Sequence, residues 1–155
     1  MLLASGVFAF YFGGHFVVSW PLRVISLLLA AVAAVLEVFS LFKALPAKET
    51  YLGGDPVDLV NTGMYALCRH PGALWLAAFC PLLALGLGST GLLSAGALAA
   101  LLNILYVLFQ DKVVFPRLIR GYAAYKKSTP FLIPTRTSIS NAFAKRHQSG
   151  TKYEI

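Results

Sequence analysis

Apolar residues run along this chain in three long blocks rather than in short amphipathic segments. Leu2 to Ser19 carries no charge, Val24 to Phe42 carries only Glu37, and Pro71 to Gln110 carries none. A helix needs about 20 such residues to cross the roughly 30 Å hydrocarbon core of a bilayer. The first block therefore predicts a span over about residues 2 to 19. Ser19-Trp20-Pro21 then reads as an interfacial turn, with Trp20 at the headgroup level and Pro21 in the first turn of the next helix. A second span follows over about residues 22 to 42. The third block, built as one straight helix, would be about 60 Å long, twice the bilayer core. It must fold back, and Gly86-Leu-Gly88-Ser-Thr-Gly91 supplies the hinge between spans over about 72 to 88 and 90 to 109, the first of them with a kink site at Pro81.

Beyond Phe109 the pattern weakens. Val114, Leu118, Tyr122 and Tyr125 fall near one face of a helix over residues 110 to 127, with Arg117, Arg120 and Lys127 elsewhere, as expected of a helix lying at a membrane interface and bent at Pro116. Residues 135 to 155 are basic and rich in Ser and Thr, and read as a flexible tail. The expected fold is thus all-α: a multi-span membrane helix bundle of about four transmembrane helices with a C-terminal interfacial helix. Residues 1 to 134 form a single membrane domain, and segments 44 to 71 and 110 to 134 lie at its cytoplasmic face. Small residues on the second helix (Ala30, Ala31, Ala33, Ala34) and the fourth (Ala95, Ala99, Ala100) provide close-packing faces, which drive helix association in lipid.

Composition agrees. Of 155 residues, 58% are apolar and 12% charged, about half the charge of an ordinary soluble domain. A soluble globule, a disulfide-framed secreted module and a disordered chain are excluded. The net charge of +7 sits beside the spans, where Lys and Arg meet anionic headgroups, so membrane lipids rather than nucleic acid are the expected partners. Twelve of the thirteen basic residues fall in the middle loop and C-terminal segment, against Arg23 alone on the other side. Positive-inside reasoning puts both termini in the cytoplasm, and the shortness of the chain favours a bacterial inner membrane over the endoplasmic reticulum. No basic residue precedes the first apolar block, which argues for a retained span over a cleaved signal peptide. Cys68 and Cys80 lack metal-ligand spacing and are expected to be free thiols, with no metal site.

Candidate chemistry concentrates in two segments. Leu59-Val60-Asn-Thr-Gly63-Met-Tyr65-Ala-Leu-Cys-Arg69-His70-Pro71 resembles the L-V-x-x-G-x-Y-x-x-x-R-H-P motif of integral-membrane methyltransferases, the group that includes isoprenylcysteine carboxyl methyltransferase and the phospholipid N-methyltransferases. A helical hairpin follows, then Gln110-Asp111 at the family's E-E position, Tyr122 and Tyr125 at its paired tyrosines, and Thr129-Pro130-Phe-Leu-Ile133-Pro134 at its closing segment. The resemblance covers about residues 57 to 134. It implies S-adenosylmethionine as cofactor, bound by Arg69 and His70 at its carboxylate, by Tyr65 near its sulfonium and by Pro71 and Gly63 in the motif. Val57, Asp58, Leu59 and Val60 together with Leu132, Ile133 and Pro134 would form the adenine walls. Gln110 and Asp111 would face the acceptor as catalytic residues. The chemistry suits the residue types: Arg takes a carboxylate bidentately, an aromatic face attracts a cation, and methyl transfer depends on positioning and exclusion of water.

Departures from the pattern narrow the acceptor. Gln110 lacks the charge of the family's first Glu, Tyr106 stands where the prenylcysteine enzymes place an Arg, and Gly72-Ala73-Leu74 replaces the aromatic residue after R-H-P. The expected function is S-adenosylmethionine-dependent methyl transfer to a lipophilic or small membrane-soluble acceptor; a non-catalytic scaffold or lipid-binding protein retaining the fold is the alternative. Gly63 is expected to permit a turn with positive φ, and His15 to pack inside the first span. Glu37 either lines a cytosol-open cavity or stays protonated in the bundle; a carboxylate within a span costs about 2.5–3.5 kcal/mol on insertion scales. Oligomeric state is not readable from the sequence.

Overall fold

The computed structural model describes residues 13–42, 59 and 61–150. Its elements there are all helical, with no strand beyond isolated bridges. Helix α1 runs Trp20–Phe42, α2 Met64–Leu67, α3 Pro71–Leu87 and α4 Thr90–Phe109. A π-helical turn, Gln110–Val114, continues α4 into α5, Phe115–Leu118; α6 is Tyr122–Ser128 and α7 Arg136–Gly150. Two stretches are long and apolar enough to cross a membrane, Trp20–Leu41 and Thr90–Leu118. Only 22% and 6% of their most apolar windows are buried, whereas the core helix of a soluble protein would be mostly covered. Leu28, Val32 and Val35 on α1 and Leu98, Leu101, Leu102 and Leu105 on α4 stand exposed. α3 is apolar but shorter, at 17 residues.

The chain divides into two compact units. The first comprises Met1–Glu37 and Trp75–Tyr106, the second Val38–Leu74 and Val107–Ile155. In the first, the fold-back occurs at Gly88 and Ser89, inside the expected hinge. Gly88 adopts φ +65, and a Cβ there would lie 2.6 Å from the carbonyl oxygen of Phe16. Ser89 is fully buried and its Oγ accepts the N–H of Leu92, capping α4.

The span expected over residues 2 to 19 is corrected at its C-terminal end; residues 2 to 12 lie outside the described residues. Residues 13 to 19 are not helical. The chain there pairs with the hinge: Phe16 N–H donates to the Gly88 carbonyl at 2.8 Å, Thr90 N–H and Oγ1 donate to the Gly14 carbonyl at 2.9 and 2.7 Å, and His15 bridges Ser89. Gly13-Gly14 has weak helix propensity, and the carbonyl and amide groups exposed by the tight turn offer it partners. His15 is accordingly part of this pairing, outside any helix. Close packing in this unit rests more on glycine than on the expected alanines. A Cβ at Gly96 would meet Cys80 Cβ at 2.8 Å, and one at Gly86 would meet Leu27. Ala30 and Ala33 are buried, but Ala95, Ala99 and Ala100 are half-exposed. Gly88→Ala would force a Cβ into positive φ and against a backbone oxygen, so a loss of about 1–3 kcal/mol is expected; the thermal unfolding temperature in detergent, compared with the parent chain, measures it.

In the second unit the helix expected over 110 to 127 is interrupted. α4 continues instead through the π turn to Leu118, with Phe115 N–H donating to the Gln110 carbonyl. Pro116 cannot donate to residue 112 and its ring would crowd that carbonyl in a regular α register; the wide turn just before it absorbs the mismatch. The break falls at Ile119 to Gly121, where Gly121 takes φ 74 and precedes α6. Residues 136 to 150, expected within a flexible tail, form α7. Thr135 and Ser138 start it reciprocally: Thr135 N–H donates to Ser138 Oγ at 2.9 Å and Ser138 N–H to Thr135 Oγ1 at 3.2 Å. α2 packs against α7.

Candidate functional site

The second unit gathers most of the residues singled out in the sequence. Gly63, at φ 58 as expected, starts α2 and leads into Tyr65. After α2 the backbone extends at Cys68, so Arg69 and His70 run alongside the segment after α6. Arg69 N–H donates to the Pro130 carbonyl at 2.9 Å and His70 N–H to the Phe131 carbonyl at 3.2 Å. Two segments 60 residues apart in the chain thus meet as a short backbone ladder. The side chains follow: the His70 ring stands edge-on to Phe131 at 5.0 Å and stacks on Phe115 at 5.7 Å, and the Arg69 guanidinium lies over Phe131 at 5.7 Å.

The π turn delivers the counter-charge. Because it widens the helix, consecutive residues Gln110 and Asp111 are both buried. Asp111 is 3% exposed and has both oxygens occupied. Oδ1 accepts the Tyr122 hydroxyl at 2.7 Å and faces Arg69 Nε at 3.3 Å and His70 Nε2 at 3.5 Å. Oδ2 pairs with Lys126 Nζ at 2.7 Å. Behind this layer Phe115, Tyr122 and Tyr125 form a core against which Leu59, Val114 and Ile119 pack. Tyr125 Oη donates to the Tyr65 carbonyl at 2.5 Å, and Tyr65 Oη to the Ser40 carbonyl at 3.1 Å.

Burial sets the protonation states. It pushes the His70 imidazole down to about 4, outweighing Asp111, which favours the charged form. His70 is therefore neutral near pH 7. Burial and the Asp111 carboxylate raise the Tyr122 phenol well above its ordinary value, and burial raises Tyr125, so both are hydrogen-bond donors rather than acids. Burial also pushes the Cys68 thiol up to about 11, which removes it as a nucleophile; both cysteines are free thiols. Two cations, Arg69 and Lys126, face one carboxylate, so the cluster carries one surplus positive charge. Arg69 Nε and His70 Nε2 are buried and make no hydrogen bond of good geometry among the described residues. The cluster thus combines a surplus positive charge with two buried nitrogens that lack a well-formed hydrogen bond.

The structure brings Tyr65, Arg69, His70 and Asp111 together, with Leu59, Tyr122 and Tyr125 in the adjoining core. It does not bring in Ile133, which is 73% exposed; Leu132 and Pro134 are half-buried, and Pro71 is buried at the start of α3. Val57, Asp58 and Val60 lie outside the described residues. Asp111, expected to face an acceptor, is instead an internal counter-ion. Lys126, Phe115 and Phe131 join the cluster without any local signal in the sequence. Lys126 appears in the sequence as one basic residue among many, and nothing marks it as the partner of a carboxylate 15 positions earlier. No group of three or more His, Cys, Asp or Glu side chains among the described residues is arranged to hold a metal. In comparison with known proteins, no family model, no curated protein and no solved structure matches the chain.

Proposed function

We propose that this chain is an integral-membrane methyltransferase that uses S-adenosylmethionine on a lipophilic or small membrane-soluble acceptor. The observation that carries the reading is the meeting of Arg69-His70 with Pro130-Phe131 around a cluster of surplus positive charge. The residues present fit the cofactor's anionic end. Arg69 offers a buried guanidinium nitrogen without a well-formed hydrogen bond, and a fixed donor fork suits a carboxylate. His70, neutral and held between Phe115 and Phe131, adds a second ring nitrogen without repelling the cofactor's sulfonium. Tyr122 and Lys126 hold Asp111, and Asp111 in turn holds Arg69 in place. A cofactor held there would supply an electrophilic methyl group for transfer to the acceptor's lone pair. In this reading the chain crosses the bilayer about four times, with the middle loop and both termini on the cytoplasmic side, as the distribution of basic residues favours.

A second reading is favoured by one specific observation: both Asp111 oxygens are spent inside the protein, and Gln110 cannot act as a base. Under it, the chain is a non-catalytic scaffold or lipid-binding protein on the same fold. Titration calorimetry of detergent-purified protein with S-adenosylhomocysteine separates the two. Methyl transfer expects binding in the micromolar range, about −8 kcal/mol, weakened at least tenfold in His70→Ala while the melting curve persists. Absence of binding by the folded parent chain supports the scaffold.

A further inference from the structure

Three buried polar atoms in the first unit are left over. Glu37 Oε2 on α1, Trp75 Nε1 on α3 and Asn103 Oδ1 on α4 have no hydrogen-bond partner among the described residues. They belong to three different helices. The Glu37 carboxylate reaches the backbone at Leu76 and lies near Cys80, and Trp75 is the residue before Leu76. Gly96 packs on Cys80. Since the chain reverses between α3 and α4, Trp75, about 7.5 Å along α3 from Cys80, and Asn103, about 10.5 Å along α4 from Gly96, come to a similar level of the unit.

Unpaired polar atoms in an apolar bundle are costly, and lipid offers them no water. Three at a similar level, none bonded to another, call for a group that is not part of the protein. Their chemistry defines it. Glu37 Oε2 and Asn103 Oδ1 accept hydrogen bonds, whereas the indole N–H only donates. The complement is a head group with two O–H or N–H donors and one oxygen acceptor, and the surrounding apolar helices suit an attached hydrocarbon chain. We propose that Glu37, Asn103 and Trp75 form an intramembrane site for an amphiphile with a vicinal-diol or amino-alcohol head. The site needs no part of the methyl-transfer reading, and its occupancy is measured without the cofactor.

Trp75 is its own reporter, because the chain has two tryptophans and Trp20, 76% exposed, can be removed. The experiment uses the full chain carrying Trp20→Phe in dimethyldodecylamine-oxide micelles, whose heads bear no hydroxyl. It is titrated with 1-lauroylglycerol, with sphinganine, and with methyl laurate, which lacks donors. The expected result is a saturable shift of Trp75 emission with 1-lauroylglycerol or sphinganine and none with methyl laurate. Whichever of the two saturates identifies the head as diol or amino alcohol. Glu37→Leu and Asn103→Leu should each weaken the response at least fivefold, and Asn103→Leu should leave the unfolding temperature unchanged or raised, since it deletes an unpaired acceptor. Identical non-saturating responses to all three additives overturn the proposal. So does a fall in unfolding temperature in Asn103→Leu, which would assign that side chain to a hydrogen bond that holds the helices together.

Discussion

Asp111→Asn is expected to be the most destabilising of the conservative substitutions in the cluster, lowering stability by about 3–5 kcal/mol. Arg69 is 8% exposed and Asp111 is its buried counter-ion at 3.3 Å. Removing the charge leaves a guanidinium over Phe131 with a long bond to the Lys126 carbonyl, at 3.4 Å from Nη1, as the remaining offset to its desolvation. The same change weakens the bond from Tyr122, which is held protonated and aimed at Oδ1. Lys126→Met provides the contrast. Its side chain is 39% exposed, so the ammonium can be solvated and its loss should cost no more than about 1 kcal/mol. A double variant, Arg69→Met with Asp111→Leu, removes both charges at once and should recover most of the stability lost in Asp111→Asn. Thermal unfolding in detergent, followed by circular dichroism, reads all three. Equal shifts for Asp111→Asn and Lys126→Met would show that Asp111 is not the counter-ion of Arg69.

Acidification between pH 6.5 and about 4 is expected to destabilise the fold through His70. Its imidazole is held down to about 4 in the folded chain, while in the unfolded chain it titrates near its ordinary value. Above pH 6.5 both states are neutral and the contribution is complete. As pH falls through 6.5 the unfolded state takes up a proton that the folded state refuses, so stability declines until about pH 4, below which both are charged. The whole loss is on the order of 3 kcal/mol. The groups facing the ring shape the slope: Asp111 favours its protonation, Arg69 and Lys126 oppose it. His70→Gln should flatten the unfolding temperature across this window while leaving changes outside it intact. A slope that persists in His70→Gln would mean that another group carries it.

Different parts of this architecture were legible to different degrees. The helices α1, α3 and α4 follow from uninterrupted apolar runs, and the reversal at Gly88 follows from the length limit on a single helix. The positive φ of Gly63 was also readable, because a motif that turns before an aromatic residue needs a glycine there. The fate of Gly13 to Ser19 was not readable. Its hydropathy is that of a span, but its backbone pairs with groups that exist only after the hinge has turned. Nor was the π turn readable, since Pro116 announces a disturbance without saying how it will be absorbed. The bend was expected at Pro116, whereas the chain breaks after it, at the left-handed Gly121. The Thr135/Ser138 cap was visible in principle as a polar pair three residues apart, but the Ser- and Thr-rich composition around it masked the signal.

The candidate site divides along the same line. Residue types and spacing alone determined that Tyr65, Arg69 and His70 stand at the entry to an apolar helix, and that a carboxylate and two tyrosines follow the hairpin. These are local properties, governed by hydropathy, helix period and the chemistry of each side chain. Only the tertiary structure decided that Asp111 turns inward to Arg69, that Lys126 completes its coordination, and that Phe115 and Phe131 enclose His70. Whether a carboxylate faces a substrate or a guanidinium depends on one widened helical turn and on which segments meet across 60 residues of chain. That pairing is set by competition for buried hydrogen bonds over the whole unit, and no window of sequence contains it.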